Sequence, residues 1–185
     1  MRRLAVAAAV AFAAVSIAAC GIPLDAQPET IDVEAVDSPE NGGPVLGDLS
    51  SVSMYLIRDE VLVPVTRDLP SPPSPEGALG SLLDGVTEPE QRANLRTAIP
   101  PGTSVIDITA DGRVLLVDLS REFASVGGEE EILAVAQIVL TATSIQGVDL
   151  VALHLEGLPT NAPVASGALS DDPVGASDYE SLVAP

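Results

Sequence analysis

The side chains that could do chemistry in this sequence are few: a single Cys, a single His and several groups of carboxylates. Cys20 stands out first. It follows Ile17-Ala18-Ala19 and precedes Gly21. Two small residues before a Cys fit the pocket of a lipoprotein signal peptidase. The thiol would then carry a diacylglycerol, and cleavage would leave Cys20 as the first residue. As the only Cys it has no disulfide partner, and an unpaired thiol at the head of an exported chain calls for modification. The competing reading is an ordinary cleavage site at Ser16-Ile17-Ala18 with a chance Cys behind it.

The other candidates point away from catalysis. His154 lies in an apolar run, no Gly-x-Ser-x-Gly elbow accompanies it, and a packed or edge-facing structural His is expected. One His and no free thiol cannot build a zinc site, so no metal or other cofactor is expected. Asp118 and Glu122 could form an acid/base pair, but Asp118 is expected to cap the Leu119–Phe123 turn through backbone N–H groups. Glu129-Glu130-Glu131 open a helix, where carboxylates suit the positive end of the dipole. Asp171-Asp172 could hold a cation loosely. Leu158-Pro159-Thr160-Asn161-Ala162 lacks the features of a wall-sorting signal. No catalytic residue is assigned.

The elements that would position these groups can be traced along the chain. Arg2 and Arg3 precede an uncharged run from Leu4 to Ala19, the layout of an export signal and too short to span a bilayer. Residues 1–19 are therefore expected to be a signal peptide, and 20–50, rich in Pro, Gly, Asp and Glu, a flexible acidic tether. Val52–Ile57 and Val61–Val65 flank Arg58-Asp59-Glu60, which predicts a hairpin. Pro64 puts its second strand at an edge. Leu79, Leu82, Leu83 and Val86 recur at helical spacing, and residues 88–98 add another turn or two of helix.

A second hairpin joins Val105–Thr109 to Val114–Leu119 through Asp111-Gly112. Leu115, Val117 and Leu119 share one face of its second strand. A long helix from Glu129 to Ile145 is expected to bury Ile132, Val135, Ala136, Val139 and Thr143. Val148–Leu155 reads as a central strand. The resulting class is α+β: a mixed or antiparallel sheet of hairpins with two main helices packed on one face, spanning 51–165. Residues 166–185 are expected to be a partly ordered tail.

Charge narrows the partners. Eight basic residues face 27 acidic ones, for a net charge of −19, and loss of Arg2 and Arg3 with the signal makes the mature chain more negative still. Nucleic acid and anionic head groups would repel it. With two Tyr, two Phe and no Trp, base-stacking platforms are absent too. Membrane attachment must come from the lipid on Cys20. The lack of Lys beside abundant Ala suggests a GC-rich, actinobacterial source.

Met54-Tyr55-Leu56-Ile57-Arg58 with Leu62-Val63-Pro64-Val65 resembles the opening of the GerMN domain, named for a spore germination and sporulation protein. Leu82-Leu83-Asp84-Gly85-Val86-Thr87 and Leu95 to Thr103 fit the same pattern. So do Val117-Asp118-Leu119-Ser120-Arg121-Glu122-Phe123, then Ala136-Gln137-Ile138-Val139 with Thr141, and Gly147-Val148. Val86 departs from the family, which commonly has Pro there, and only one copy of the domain is present. The resemblance implies a non-catalytic module outside the cytoplasmic membrane that serves envelope assemblies. The expectation is an extracytoplasmic lipoprotein, lipid-anchored at the cell membrane, whose domain acts as a protein-interaction or scaffold module for other envelope proteins. The alternative is a small carboxylate-dependent envelope hydrolase using Asp118 and Glu122. A two-lobed solute-binding protein is disfavoured.

Overall fold

The chain was described by a computed structural model covering residues 48–185. The signal peptide, Cys20 and nearly all of the tether lie outside the described residues. Strands β1 (Leu49–Arg58) and β2 (Val61–Pro70) form the first hairpin. Asp59 and Glu60, both with positive φ, make its two-residue turn. Val52, Met54 and Leu56 turn to the core at alternate positions. On β2 the inward series is Val63, Val65, Arg67 and Leu69, so a guanidinium takes a place in an apolar row.

That guanidinium is satisfied by two helices. Helix α1 (Pro75–Leu83) buries Leu79 and Leu82, and Leu83 and Val86 pack beside them. Helix α2 (Glu88–Arg92) begins with a capping box of Thr87 and Glu90. Arg67 donates Nε and Nη2 to the two Glu90 carboxylate oxygens at 3.0 and 2.7 Å, Nη2 to the Gly85 carbonyl at 2.7 Å, and Nη1 to Ser81 Oγ at 3.1 Å. Both charged side chains are 12% exposed. Burial pushes the Glu90 carboxyl up, but the Arg67 and Thr87 hydrogen bonds outweigh it and hold the group below its ordinary 4.5.

A pH-dependent result follows. Glu90→Gln is expected to lower stability at neutral pH by roughly 1.5–3 kcal/mol, the range for hydrogen bonds to a charged group. The deficit should be complete above about pH 4.5 and shrink as pH falls through the lowered native pKa, where wild-type Glu90 takes up its proton. Denaturant melts of both proteins across acid pH check this, and a constant deficit would refute it.

The main sheet has five strands. Strands β3 (Val105–Asp111) and β4 (Val114–Leu119) are the second hairpin, and β5 (Leu150–Leu155) lies parallel to β4. Short strands β6 (Leu158–Pro159) and β9 (Val174–Gly175) pair antiparallel with β5. Strands β7 (Ala162–Pro163) and β8 (Leu169–Ser170) form a separate ladder. The crossover from β4 to β5 is helix α3 (Glu129–Thr143). Leu115, Val117 and Leu119 meet the core as expected.

Two expectations are corrected. Helix α3 buries a continuous series from Leu133 to Ala142, while Ile132 and Thr143 are only half-buried. The cause is that β1, α1, β5 and the C-terminal segments contact it from several sides, and a helix covered all round has no polar face to reveal a stripe. The residues after 165 also join the body rather than trailing from it. A 3-10 turn at Ala176–Leu182 packs on α3, Tyr179 is fully buried, and Val174 is 2% exposed. The polar, Gly- and Pro-rich composition lacks periodicity, yet buried Tyr179 and Val174, strand pairing on β5 and a bond from the Ala184 N–H to the Leu62 carbonyl tie it to the body.

Candidate functional site

Asp118 is the next-to-last residue of β4 and is 6% exposed, the only carboxylate among the buried described residues. Its Oδ1 accepts from the Gly157 N–H at 2.9 Å. Glu156 and Gly157 form the tight β5–β6 turn, both with positive φ. The Glu156 carboxylate reaches the other way, accepting from the Arg121 N–H at 2.8 Å, while the Glu156 N–H donates to the Leu119 carbonyl at 3.0 Å. The two carboxylates thus cap each other's turns. Asp118 does act as a cap, but of the β5–β6 turn. The 3-10 turn at Arg121–Ser125 is capped instead by Glu156, a residue that sequence reasoning missed. Its only sequence signal was the Glu-Gly pair at the end of an apolar strand.

Ser120 completes the knot. Its N–H donates to the Ser104 carbonyl at 2.9 Å and its Oγ accepts from the Ser104 N–H at 3.0 Å. Phe123 is buried beneath. The run from Val117 to Phe123 therefore joins the starts and ends of β3, β4, β5 and β6. Side chains of this segment are spent on closing backbone donors, which isolated turns would otherwise leave to water.

Glu122 is exposed. Hydrogen bonding to Ser120, then to its own backbone, holds its carboxyl below the ordinary range. A general acid at neutral pH needs the opposite shift. Among the described residues no hydrogen bond joins Asp118 to Glu122. His154 sits on β5 beside Asp118 in the parallel register and is half-buried. This brings a carboxylate and an imidazole to neighbouring strands, which the sequence did not foretell. Oδ1 of that carboxylate is already engaged by Gly157, and no hydrogen bond between the pair is present among the described residues.

The remaining candidates separate. Of the three glutamates opening α3, Glu130 accepts from Arg96 Nη1 at 2.8 Å, and Arg96 also binds Glu60 at 2.6 Å. Asp171 and Asp172 are exposed, in the turn between β8 and β9. Among the described residues no group of three or more His, Cys, Asp or Glu is placed to hold a metal ion, and no buried side-chain polar atom lacks a hydrogen-bond partner. No helix among them is long and apolar enough to cross a membrane.

Residues 50–161 match the model of the Germane family, described as sporulation and spore germination. Among solved structures, the chain is similar to the tandem GerMN domains of the sporulation protein GerM from Bacillus subtilis, with a TM-score of 0.57 and 23% identity over 71% of this chain and 48% of that one. It is similar also to the first GerMN domain of that protein, with a TM-score of 0.53 and 24% identity over 69% of this chain and 98% of the domain. At these identities the likeness speaks for the fold. The chain spans about half the length of the tandem protein, 48%, and nearly all of its single domain. No curated protein sequence matches it.

Proposed function

From the premise that the chain belongs to the Germane, or GerMN, family of sporulation and spore germination domains, we propose that it is an extracytoplasmic lipoprotein, held at the cell membrane by a lipid on Cys20, whose domain binds other envelope proteins without catalysing a reaction. The observation that carries the non-catalytic part is the reciprocal capping of Asp118 and Glu156. The buried carboxylate best suited to acid/base work is committed to a turn that the fold requires. The anchor is supported by Ile17-Ala18-Ala19-Cys20 and by the strong negative charge, which gives the domain no attraction of its own for an anionic membrane. Two acyl chains are needed for stable attachment, and a diacylglycerol supplies them.

The experiment has two arms in the same cells. Wild type should incorporate labelled fatty acid and partition with membranes, and Cys20→Ala should do neither. Crosslinking in cells should capture an envelope protein, while the pure domain should leave wall fragments intact. Asp118→Asn should weaken capture only as far as it lowers stability. Cleavage of wall fragments by wild type, lost in an Asp118→Asn protein that melts normally, would establish the hydrolase alternative instead. Label retained on Cys20→Ala would remove the anchor.

A further inference from the structure

We propose that the outer edge of β3, together with the groove between it and α1, is the docking site, and that its occupant is an extended, basic segment of a partner protein added as a strand. The inference rests on the interaction reading above and deepens it by naming the surface and the chemistry of the partner.

The strand edges are unequally protected. Along the second half of β1 most outward backbone groups are taken: the Ser53 carbonyl by Ser144, Tyr55 by Gln137 and Thr141, and Ile57 by Arg96. On β2 the outward positions are Leu62, whose carbonyl accepts from the Ala184 N–H at 2.8 Å, Pro64, which has no N–H and breaks the row, and then Thr66 and Asp68. Strand β3 has only β4 as a neighbour. Its two-residue turn makes Asp111–Val114 a hydrogen-bonded pair, so by alternation Ile108 and Ala110 aim their N–H and C=O groups outward. Among the described residues nothing is hydrogen-bonded to them there. A row of unpaired backbone groups is a template for another strand.

The groove beside this edge has a volume of about 490 Å³. A bulge between Val105 and Asp107 places Ile106 along it, 52% exposed. Leu83 and Ile108 add apolar surface, and Glu76, Asp84 and Asp107 supply carboxylates with no Lys or Arg among the lining residues. Glu76 and Gly80 on α1 and Asp84, its C-cap, succeed one another at four-residue spacing on one side. Aliphatic side chains interspersed with carboxylates suit a strand that alternates aliphatic and basic side chains. The same charge argues against other occupants. Residues 21–47 of this chain are acidic and hold no Arg or Lys, and a second copy would set carboxylates against carboxylates.

Two substitutions block the site and leave the fold alone. Ala110→Pro removes an outward N–H and no ladder bond. Gly80→Phe projects a ring into the groove from a position where an added Cβ meets nothing within 4 Å. The mature chain carrying Cys20→Ser, titrated with a short peptide of alternating Lys and Val, should show amide shifts at residues 103–110 and along α1. The same peptide with Glu in place of Lys should produce none. Ala110→Pro and Gly80→Phe should each abolish the shifts with melting temperature not lowered. Lys-Val peptide that leaves these amides unmoved, or that binds Ala110→Pro as well as wild type, overturns the site. A photo-crosslinker in cells separates this failure from that of the interaction reading. Capture of an envelope protein from Leu169 but not from Ile106 retires the β3 edge alone, and capture from neither retires both.

Discussion

Tyr179→Ala is expected to lower the stability of the domain by roughly 3–5 kcal/mol, the range for truncating a buried aromatic side chain. The residue is completely buried in the C-terminal 3-10 turn, which packs on α3, and its hydroxyl donates to the Pro163 carbonyl at 2.9 Å. Its ring therefore fills core volume and its oxygen satisfies a buried acceptor. Burial, and then the charge of Asp178, push its phenol well above the usual range, so it remains a donor at neutral pH. Tyr179→Phe should cost about 1–2 kcal/mol, since only the hydrogen bond is lost. A single domain holds about 5–15 kcal/mol in all, so a fragment ending at residue 165 should show no cooperative melt. Urea titrations followed by circular dichroism measure all three. A 48–165 fragment that melts like the longer protein would show that the C-terminal segment is dispensable.

The second large effect is expected at Gln137. Gln137→Leu keeps the side-chain volume and adds apolar surface, so the hydrophobic effect alone predicts little change. The amide nevertheless has three partners. Its Nε2 donates to the Tyr55 carbonyl at 2.8 Å, and its Oε1 accepts from the Ala98 N–H at 2.8 Å and from the Thr97 hydroxyl at 3.1 Å. The substitution leaves these groups unpaired beside a fully buried side chain, the Ala98 N–H in a buried site and the Tyr55 and Thr97 groups in half-buried ones. At about 1–3 kcal/mol for each buried group left unpaired, a total of roughly 3–5 kcal/mol is expected. Thr141→Val should cost less, because only the Tyr55 N–H loses its acceptor at 3.1 Å. The double mutant should cost less than the sum, since both side chains serve one residue of β1. Hydrogen exchange should quicken at Ala98 in the first mutant and at Tyr55 in the second. A Gln137→Leu protein as stable as wild type would mean that water reaches these groups.

These positions mark where sequence reading succeeds and where it fails. The hairpins were legible because alternation and turn chemistry are local. Val52, Met54 and Leu56 point inward at every second residue, and Asp59-Glu60 and Gly112 mark the turns. Pro64 located an outer edge because a missing N–H is tolerated only there. Helix α3 was legible in extent but not in orientation. Gln137 and Thr141 entered only as part of the motif that resembles the family, and tertiary structure alone shows that they bond the backbone of β1.

The family and the α+β class were in the order of the motifs, and the candidate chemistry around Cys20 was in the residues before it. Tertiary structure alone decided that Asp118 caps Gly157, that Glu156 caps Arg121, that His154 stands beside Asp118, and that the chain's last turn belongs to the core. Each of those contacts joins residues far apart in sequence. A polar side chain's choice among backbone partners is set by which strand the fold brings next to it, and residue type and local spacing do not carry that information.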